Sequence, residues 1–241
     1  MKIQVYQQRG SHAGKVEMED RAVANGNLLA EGYHCMSAEE GVFGVMDGVG
    51  GQMGSAYASA RVGSALTGLK PAADAAQIRR LLEQIHEELY TYTQTATTAT
   101  GFVLAGDVCT LFHIGNTRLY LAVNNYLRQE TEDQTEGNRL LHSGVSIESI
   151  DQACFGVLSA CIGLRREMTN ALEIRDISDV FRRASRVLLC SDGVHDFLSE
   201  DRIEAFLQDP VDLDSMAALA EDARKAGSLD DISILTVEKK V

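Results

Sequence analysis

The order of apolar segments predicts an α+β fold built in layers, and three observations carry that expectation. Segments of strand character open the chain, a pair of long helical patterns follows, and hairpins, further strands and further helices close it. The regular strand–helix–strand alternation of a doubly wound sheet is missing, and no internal repeat is present. No Pro/Gly/Ser-rich stretch or charge block divides the 241 residues, so 1–241 is expected to form one domain.

Taken in order, Ala22-Val23-Ala24 and Val42 to Met46 are short apolar runs of strand character. A helix rich in small residues is expected over 52–68. Ile78, Leu81, Leu82, Ile85 and Leu89 recur at helical spacing and predict an amphipathic helix over 77–90. Phe102–Leu104 and Val108–His113 flank Gly106-Asp107, while Leu119–Val123 and Tyr126–Gln129 flank Asn124-Asn125. Both read as hairpins, because Gly, Asn and Asp tolerate the positive φ of primed turns. The stretch 132–156 gives mixed signals and is expected to be an irregular or partly helical insertion. Ser199-Glu200-Asp201 is a cap-like helix start, and another helix is expected over 212–226.

A composition of 45% hydrophobic and 24% charged residues is that of an ordinary globule. No apolar run reaches the roughly 20 residues that span a bilayer. The start, Met1-Lys2-Ile3-Gln4, lacks a signal-peptide core, so a cytoplasmic location without a membrane span is expected. Five cysteines, widely spaced and without a Cys-x-x-Cys pair, read as buried free thiols. A net charge of −13 argues against nucleic-acid binding, which needs a basic footprint.

Three segments place an aspartate beside an apolar strand. Val42 to Met46 runs into Asp47-Gly48, Arg186 to Ser191 runs into Asp192-Gly193, and Asp230-Asp231 precedes Ile232 to Val237. Glu19-Asp20, just ahead of Ala22, adds a fourth such end. A strand is a rigid mount for a carboxylate. Each dipeptide alone is a common turn, but four converging ends would crowd carboxylates whose repulsion bound cations relieve. Oxygen-only donors favour hard ions, magnesium or manganese, over zinc.

Seven segments, in order, resemble the motifs of the type-2C (PPM) metal-dependent protein phosphatases. They are Lys15–Asp20, Phe43–Gly51, Ile114–Arg118, Thr131–Asp133, Leu158–Gly163, Leu189–Asp196 and Gly227–Ile232. The resemblance covers nearly the whole chain and is to the bacterial stand-alone catalytic domain. It implies a sandwich of two antiparallel β-sheets flanked by pairs of α-helices, with two divalent cations, Mn2+ or Mg2+, at one edge. By position, Asp47 would bridge both ions and the Gly48 carbonyl would bind one. Asp192 and Asp230 would hold the other, with Glu19 and Asp20 in support. The implied activity is hydrolysis of phosphoserine and phosphothreonine in proteins, by in-line attack of a metal-bridging water. Asp47, Asp192 and Lys15 would be the catalytic residues, and the partners would be phosphoproteins made by a serine/threonine kinase, in signalling.

This sequence departs from the family pattern at several positions. Lys15 stands where arginine is usual, keeping the charge that grips phosphate and losing the planar fork. Asn116 replaces an aspartate that helps hold a third metal, which makes that site doubtful here. Val49 replaces a histidine that some relatives use to protonate the leaving group, leaving water at the metals to do so. Asp133-Gln134 stands for Asp-His, His195 for tryptophan, and Asp231 for a usual asparagine; Asp196 and Asp231 read as turn or supporting residues. The six histidines form no His-Glu-x-x-His motif and read as structural. These departures motivate one alternative, a weakly active or non-catalytic phosphoprotein-binding module of the same fold. Another is a phosphatase dedicated to an anti-sigma-factor antagonist. The segment 132–156 is expected to set substrate choice.

Overall fold

The computed structural model of the chain describes residues 1–13, 15–49, 54–124, 126–164 and 171–239. It begins with β1 (Lys2–Gln8), β2 (Arg21–Ala24), β3 (Asn27–Leu29), β4 (Gly32–Ser37), β5 (Gly41–Met46) and the two-residue β6 (Gly48–Val49). Helices α1 (Ser55–Thr67) and α2 (Ala75–Tyr92) precede β7 (Ala96–Thr97), β8 (Ala99–Ala105), β9 (Val108–Ile114), β10 (Arg118–Val123) and β11 (Tyr126–Gln129). The remainder comprises α3 (Glu136–His142), β12 (Glu173–Asp176), α4 (Ser178–Arg183), β13 (Ala184–Cys190), the single turn α5 (Asp192–His195), α6 (Glu200–Gln208), α7 (Leu213–Lys225) and β14 (Ile232–Glu238).

Two antiparallel six-stranded sheets result, in the orders β11-β10-β13-β14-β1-β4 and β12-β9-β8-β5-β2-β3, beside a small β6-β7 ribbon. Apolar residues of both inner faces, including Ile3, Val5, Phe43, Phe102, Leu121, Leu189 and Leu235, fill the space between the sheets. Phe43 and Phe102 stack there at 5.0 Å between centroids. A second core joins α1 and α2 to the outer face of the β5 sheet, where Val62, Leu66, Ile78, Leu82, Ile85 and Leu89 meet Met46, Val103 and Phe112. A third joins α6 and α7 to the other sheet through Ile203, Phe206, Met216 and Leu219 against Tyr120, Leu188 and Ile234. Each fully buried leucine here contributes about 1.5–3 kcal/mol of transfer free energy, so the layers are held mainly by these three apolar contacts. The sandwich flanked by helix pairs is therefore the observed fold.

Local signals account for most boundaries. Asp74 caps α2 and accepts from Gln77 N, whose side chain returns the bond to the Asp74 amide. Asp212 and Ser215 form the same box at α7, and Ser199 caps α6. Gly106, at φ 56°, turns the β8–β9 hairpin, and Asn124, at φ 53°, begins the β10–β11 turn. Asn125 lies outside the described residues, as do Gly50 and Gly51 of the Asp-Gly segment and positions 52 and 53 of the expected first helix. The insertion 132–156 is partly helical, with α3 and 3-10 turns at Ile147–Ser149 and Gln152–Gly156. Among the described residues no helix is long and apolar enough to cross a membrane.

Candidate metal centre

Strand register brings the distant acidic residues to one edge. In the β2–β5 pair Arg21 faces Met46, so Asp20, just before β2, and Asp47, just after β5, are the next pair in line. In the β13–β14 pair Cys190 faces Ile234 and the Ser191 amide donates to the Ser233 carbonyl at 3.2 Å, which puts Asp192 beside the Asp230-Asp231 entry to β14. Face-to-face packing of the sheets then joins the two pairs. Two glycines permit the close approach. A Cβ at Gly48 would stand 2.6 Å from the Ser55 carbonyl oxygen at the start of α1, and one at Gly193 would stand 1.9 Å from that of Asp231. Asp192 opens the helical turn α5 instead of sitting in an Asp-Gly turn, a difference that follows from Val194 N donating to Ser191 O.

The electrostatics of the cluster show how closely the four carboxylates are associated. Asp47 is pushed well above the usual carboxylate range by enclosure, then by the charges of Asp20, Asp192 and Asp230, and by a hydrogen bond shared with Asp192. Asp20, 1% exposed, is raised to about 8 by burial and by the charges of Asp231 and Asp192, while hydrogen bonds from Ser233 and Ser191 pull the other way. Asp192 is raised by burial and by Asp230 and Asp196, against the lowering effects of His195 and of Asn116, whose Nδ2 donates at 2.9 Å. Asp20 Oδ2 is buried and meets no hydrogen-bond donor.

Asp47, Asp192 and Asp230 line one cavity of about 420 Å3, together with Gly48, Thr98 and Asn116. Its lining also includes the apolar residues Val49, Val157, Leu158, Cys161 and Leu164. Among the described residues no three acidic, histidine or cysteine side chains converge on a single ligand point. Asp47 shares a hydrogen bond with Asp192 instead, and Asp230 is paired with the Lys15 ammonium. An orphaned buried oxygen, an all-oxygen donor set and mutually raised pKa values nevertheless suit hard divalent cations, which need those carboxylates ionised.

Lys15 and Glu19 flank the cluster. The Lys15 ammonium lies 3.0 Å from Glu19, 3.2 Å from Asp230 and 3.0 Å from Asp231. Glu19 also accepts from the Ser55 hydroxyl at the head of α1. Asp231, 1% exposed, accepts backbone N–H bonds from Gly10 at 2.7 Å, Glu19 at 2.5 Å and Asp20 at 3.2 Å. It is therefore more than a turn residue: it anchors the segment that carries Lys15, Glu19 and Asp20. Sequence reasoning did not find Ser191 and Ser233, the hydroxyls on Asp20, because a serine just after a strand or inside one carries no signal of its partner.

The remaining singled-out residues have structural partners. Asp133 takes a forked pair of bonds from Arg118 at 2.9 and 2.6 Å, and Gln134 bridges the Gly115 amide and the Ala171 carbonyl. His195 sits between the Asn116 carbonyl and Asp196, each at 3.0 Å, and buried His113 is hydrogen-bonded at both ring nitrogens. None of the five cysteines, all of them described residues, is in a disulfide. Cys109, Cys161 and Cys190 are buried as expected, but Cys154 is only half-buried, in the 132–156 insertion, and Cys35 is exposed on the edge strand β4.

No family model matches the chain. Over 172 residues it is 26% identical to the "Serine/threonine phosphatase stp" of Listeria monocytogenes, covering 67% of each chain. Over 146 residues it is 32% identical to the "Serine/threonine protein phosphatase PstP" of Mycobacterium tuberculosis, 59% of this chain and 27% of that longer protein. The solved M. tuberculosis serine/threonine phosphatase PstP/Ppp superposes with a TM-score of 0.77 at 26% identity, covering 100% of both chains. A PstP catalytic domain in complex with two manganese ions superposes with a TM-score of 0.70 at 25% identity, covering 99% of each. The Staphylococcus aureus phosphatase Stp1 shares the fold, with a TM-score of 0.79 at 20% identity over 99% of this chain and 95% of that one.

Proposed function

We infer that this chain, a type-2C (PPM) metal-dependent phosphatase of the stand-alone bacterial kind, removes phosphate from phosphoserine and phosphothreonine in other proteins. The observation that carries the reading is the meeting of Asp20, Asp47, Asp192 and Asp230 at one sheet edge, where burial and neighbouring charge raise Asp20, Asp47 and Asp192 and where Asp47, Asp192 and Asp230 line an open cavity. Two divalent cations, Mn2+ or Mg2+, supply Lewis acidity there and make water a competent nucleophile at neutral pH.

The chain's own residues supply placement and charge. We assign Asp47, Asp192, Asp230 and the Gly48 carbonyl to hold the ions, with Asp20 and Glu19 in support. Ser191, Ser233 and Ser55 fix the supporting carboxylates in orientation. Asn116 Nδ2 steadies Asp192, and as a neutral amide it offers a third cation little. Lys15 stands at the Asp230 side, where its ammonium can reach a phosphate oxygen by releasing one carboxylate. Val49, tied to Ala96 in the β6–β7 ribbon, has no proton to give, so solvent protonates the leaving alkoxide. Phosphoryl transfer has a loose transition state, so positioning and charge neutralisation account for most of its catalysis.

We place the chain, as one catalytic unit, in a reducing cytoplasm opposite a serine/threonine kinase; five cysteines outside any disulfide support the compartment. Among the described residues nothing favours the binding-only alternative, and the similar proteins are named as phosphatases. The test is phosphate release from a phosphothreonine peptide with Mn2+, with Mg2+ and with excess chelator, on the wild type and on Asp192→Asn. Release with either ion, its loss in chelator and its loss in a folded Asp192→Asn are expected. Full activity in chelator would exclude the proposal.

A further inference from the structure

An ammonium group has three N–H donors, and in Lys15 each faces a different carboxylate: Glu19 at 3.0 Å, Asp230 at 3.2 Å and Asp231 at 3.0 Å. The side chain is 9% exposed. Burial alone would lower its pKa, but the bonds to Glu19 and Asp231 and the charges of Asp231 and Asp230 outweigh that and hold the group charged. Its seat is rigid, because Asp231 also takes the amides of Gly10, Glu19 and Asp20. Asp230 Oδ1, besides Lys15, accepts the Asp231 amide at 2.7 Å. Lysine at 15 and aspartate at 231, which look in the sequence like two unrelated departures, are thus one ion pair.

We propose that Lys15, seated on Asp231, is a built-in cation that competes with divalent ions for the Glu19 and Asp230 carboxylates and thereby sets how tightly the chain binds metal. A lysine whose donors are all engaged is a poor phosphate grip until one carboxylate is withdrawn. An ion held by Asp230 would withdraw that carboxylate from Lys15, which would couple metal loading to phosphate binding through this side chain. The proposal rests on the phosphatase reading, and its test is independent of turnover.

The experiment is calorimetric titration of Mn2+ into the full chain without substrate, for the wild type, Lys15→Met and Lys15→Arg. A unit charge within a few ångströms of a divalent ion at high effective dielectric changes affinity by about tenfold. Lys15→Met should therefore bind Mn2+ about tenfold more tightly, while Lys15→Arg, which keeps the charge, should stay within about twofold of wild type. The Mn2+-induced rise in melting temperature, measured also on Lys15→Gln, reads the same ranking should the methionine variant be loosened. Wild-type or weaker Mn2+ affinity in both neutral variants overturns the proposal and leaves the phosphatase reading intact. Failure of the wild type to bind Mn2+ at all overturns both.

Discussion

Adding one methyl group at Gly193 tests whether the carboxylates work only because the backbone holds them. A Cβ there would stand 1.9 Å from the Asp231 carbonyl oxygen and 3.0 Å from the carbonyl carbon. Ordinary contact begins near 3.5 Å, so α5 and the entry to β14 must part by roughly 1.5 Å. Asp192 lies on one side of that contact and Asp230 and Asp231 on the other. The displacement thus falls on two of the four clustered carboxylates and on the seat of Lys15. A misplacement of about 1 Å at a reacting site costs on the order of 100-fold in rate, so Gly193→Ala should lower kcat/KM by at least about that factor.

Overpacking of this kind costs about 1–3 kcal/mol in stability, which at this chain length lowers the melting temperature by roughly 3–10 °C. The control is Gly68→Ala, where the new Cβ meets only the Ala65 carbonyl at 3.5 Å and φ is −82°. It should leave both readouts unchanged. Phosphate release in Mn2+, Mn2+ titration and scanning calorimetry measure the three quantities. A Gly193→Ala protein with wild-type activity, Mn2+ affinity and melting temperature would refute the claim that backbone contact fixes the site.

Other expectations follow from individual contacts. Saturating the wild type with Mn2+ at about 100 times its dissociation constant should stabilise it by about 2.7 kcal/mol, and Asp47→Asn should lose most of that shift in calorimetry. Arg118→Met leaves Asp133, whose side chain is 12% exposed, without its forked partner; urea unfolding should show a loss of about 2 kcal/mol, recovered in part by adding Asp133→Asn. Burial holds the His113 imidazole below its ordinary value, so on acidification the unfolded chain binds that proton first. Stability is full above about pH 6.5 and falls as pH drops through the lowered folded value; His113→Gln should flatten part of that slope in urea titrations at stepped pH. Val157 and Leu164, 51% and 50% exposed on the apolar cavity wall, should favour apolar residues beside the phosphorylated one. Leu164→Asp should then lower kcat/KM on such a peptide about tenfold, and an unchanged peptide ranking would remove the wall from substrate choice.

What the sequence revealed of this molecule is what short-range chemistry encodes. Asp74, Ser199 and Asp212 announce helices because a cap and its first turn are neighbours in the chain, and Gly106 marks a hairpin for the same reason. Asp47 and Asp192 stand out because each follows an apolar strand and precedes a glycine. β12, the edge strand Glu173–Asp176, escaped notice because its alternating charges give no apolar signal. The role of Asp231 was hidden more deeply. Its four partners come from residues 10 to 20, more than 200 positions away, and its burial is a product of sheet register that no local pattern displays.

The charge balance explains why the site depends on cations for binding as well as for chemistry. The chain carries −13, yet its substrate is an anion that must approach six acidic groups, Glu19, Asp20, Asp47, Asp192, Asp230 and Asp231. Lys15 brings a single charge, already divided among three of them. Burial first, and then the neighbouring carboxylates, push Asp20, Asp47 and Asp192 above the usual carboxylate range, so added positive charge is favourable here. Divalent ions held by those carboxylates would bring the cluster near neutrality and relieve its repulsion of phosphate. Loss of metal should therefore appear as loss of anion binding before any step of hydrolysis is reached.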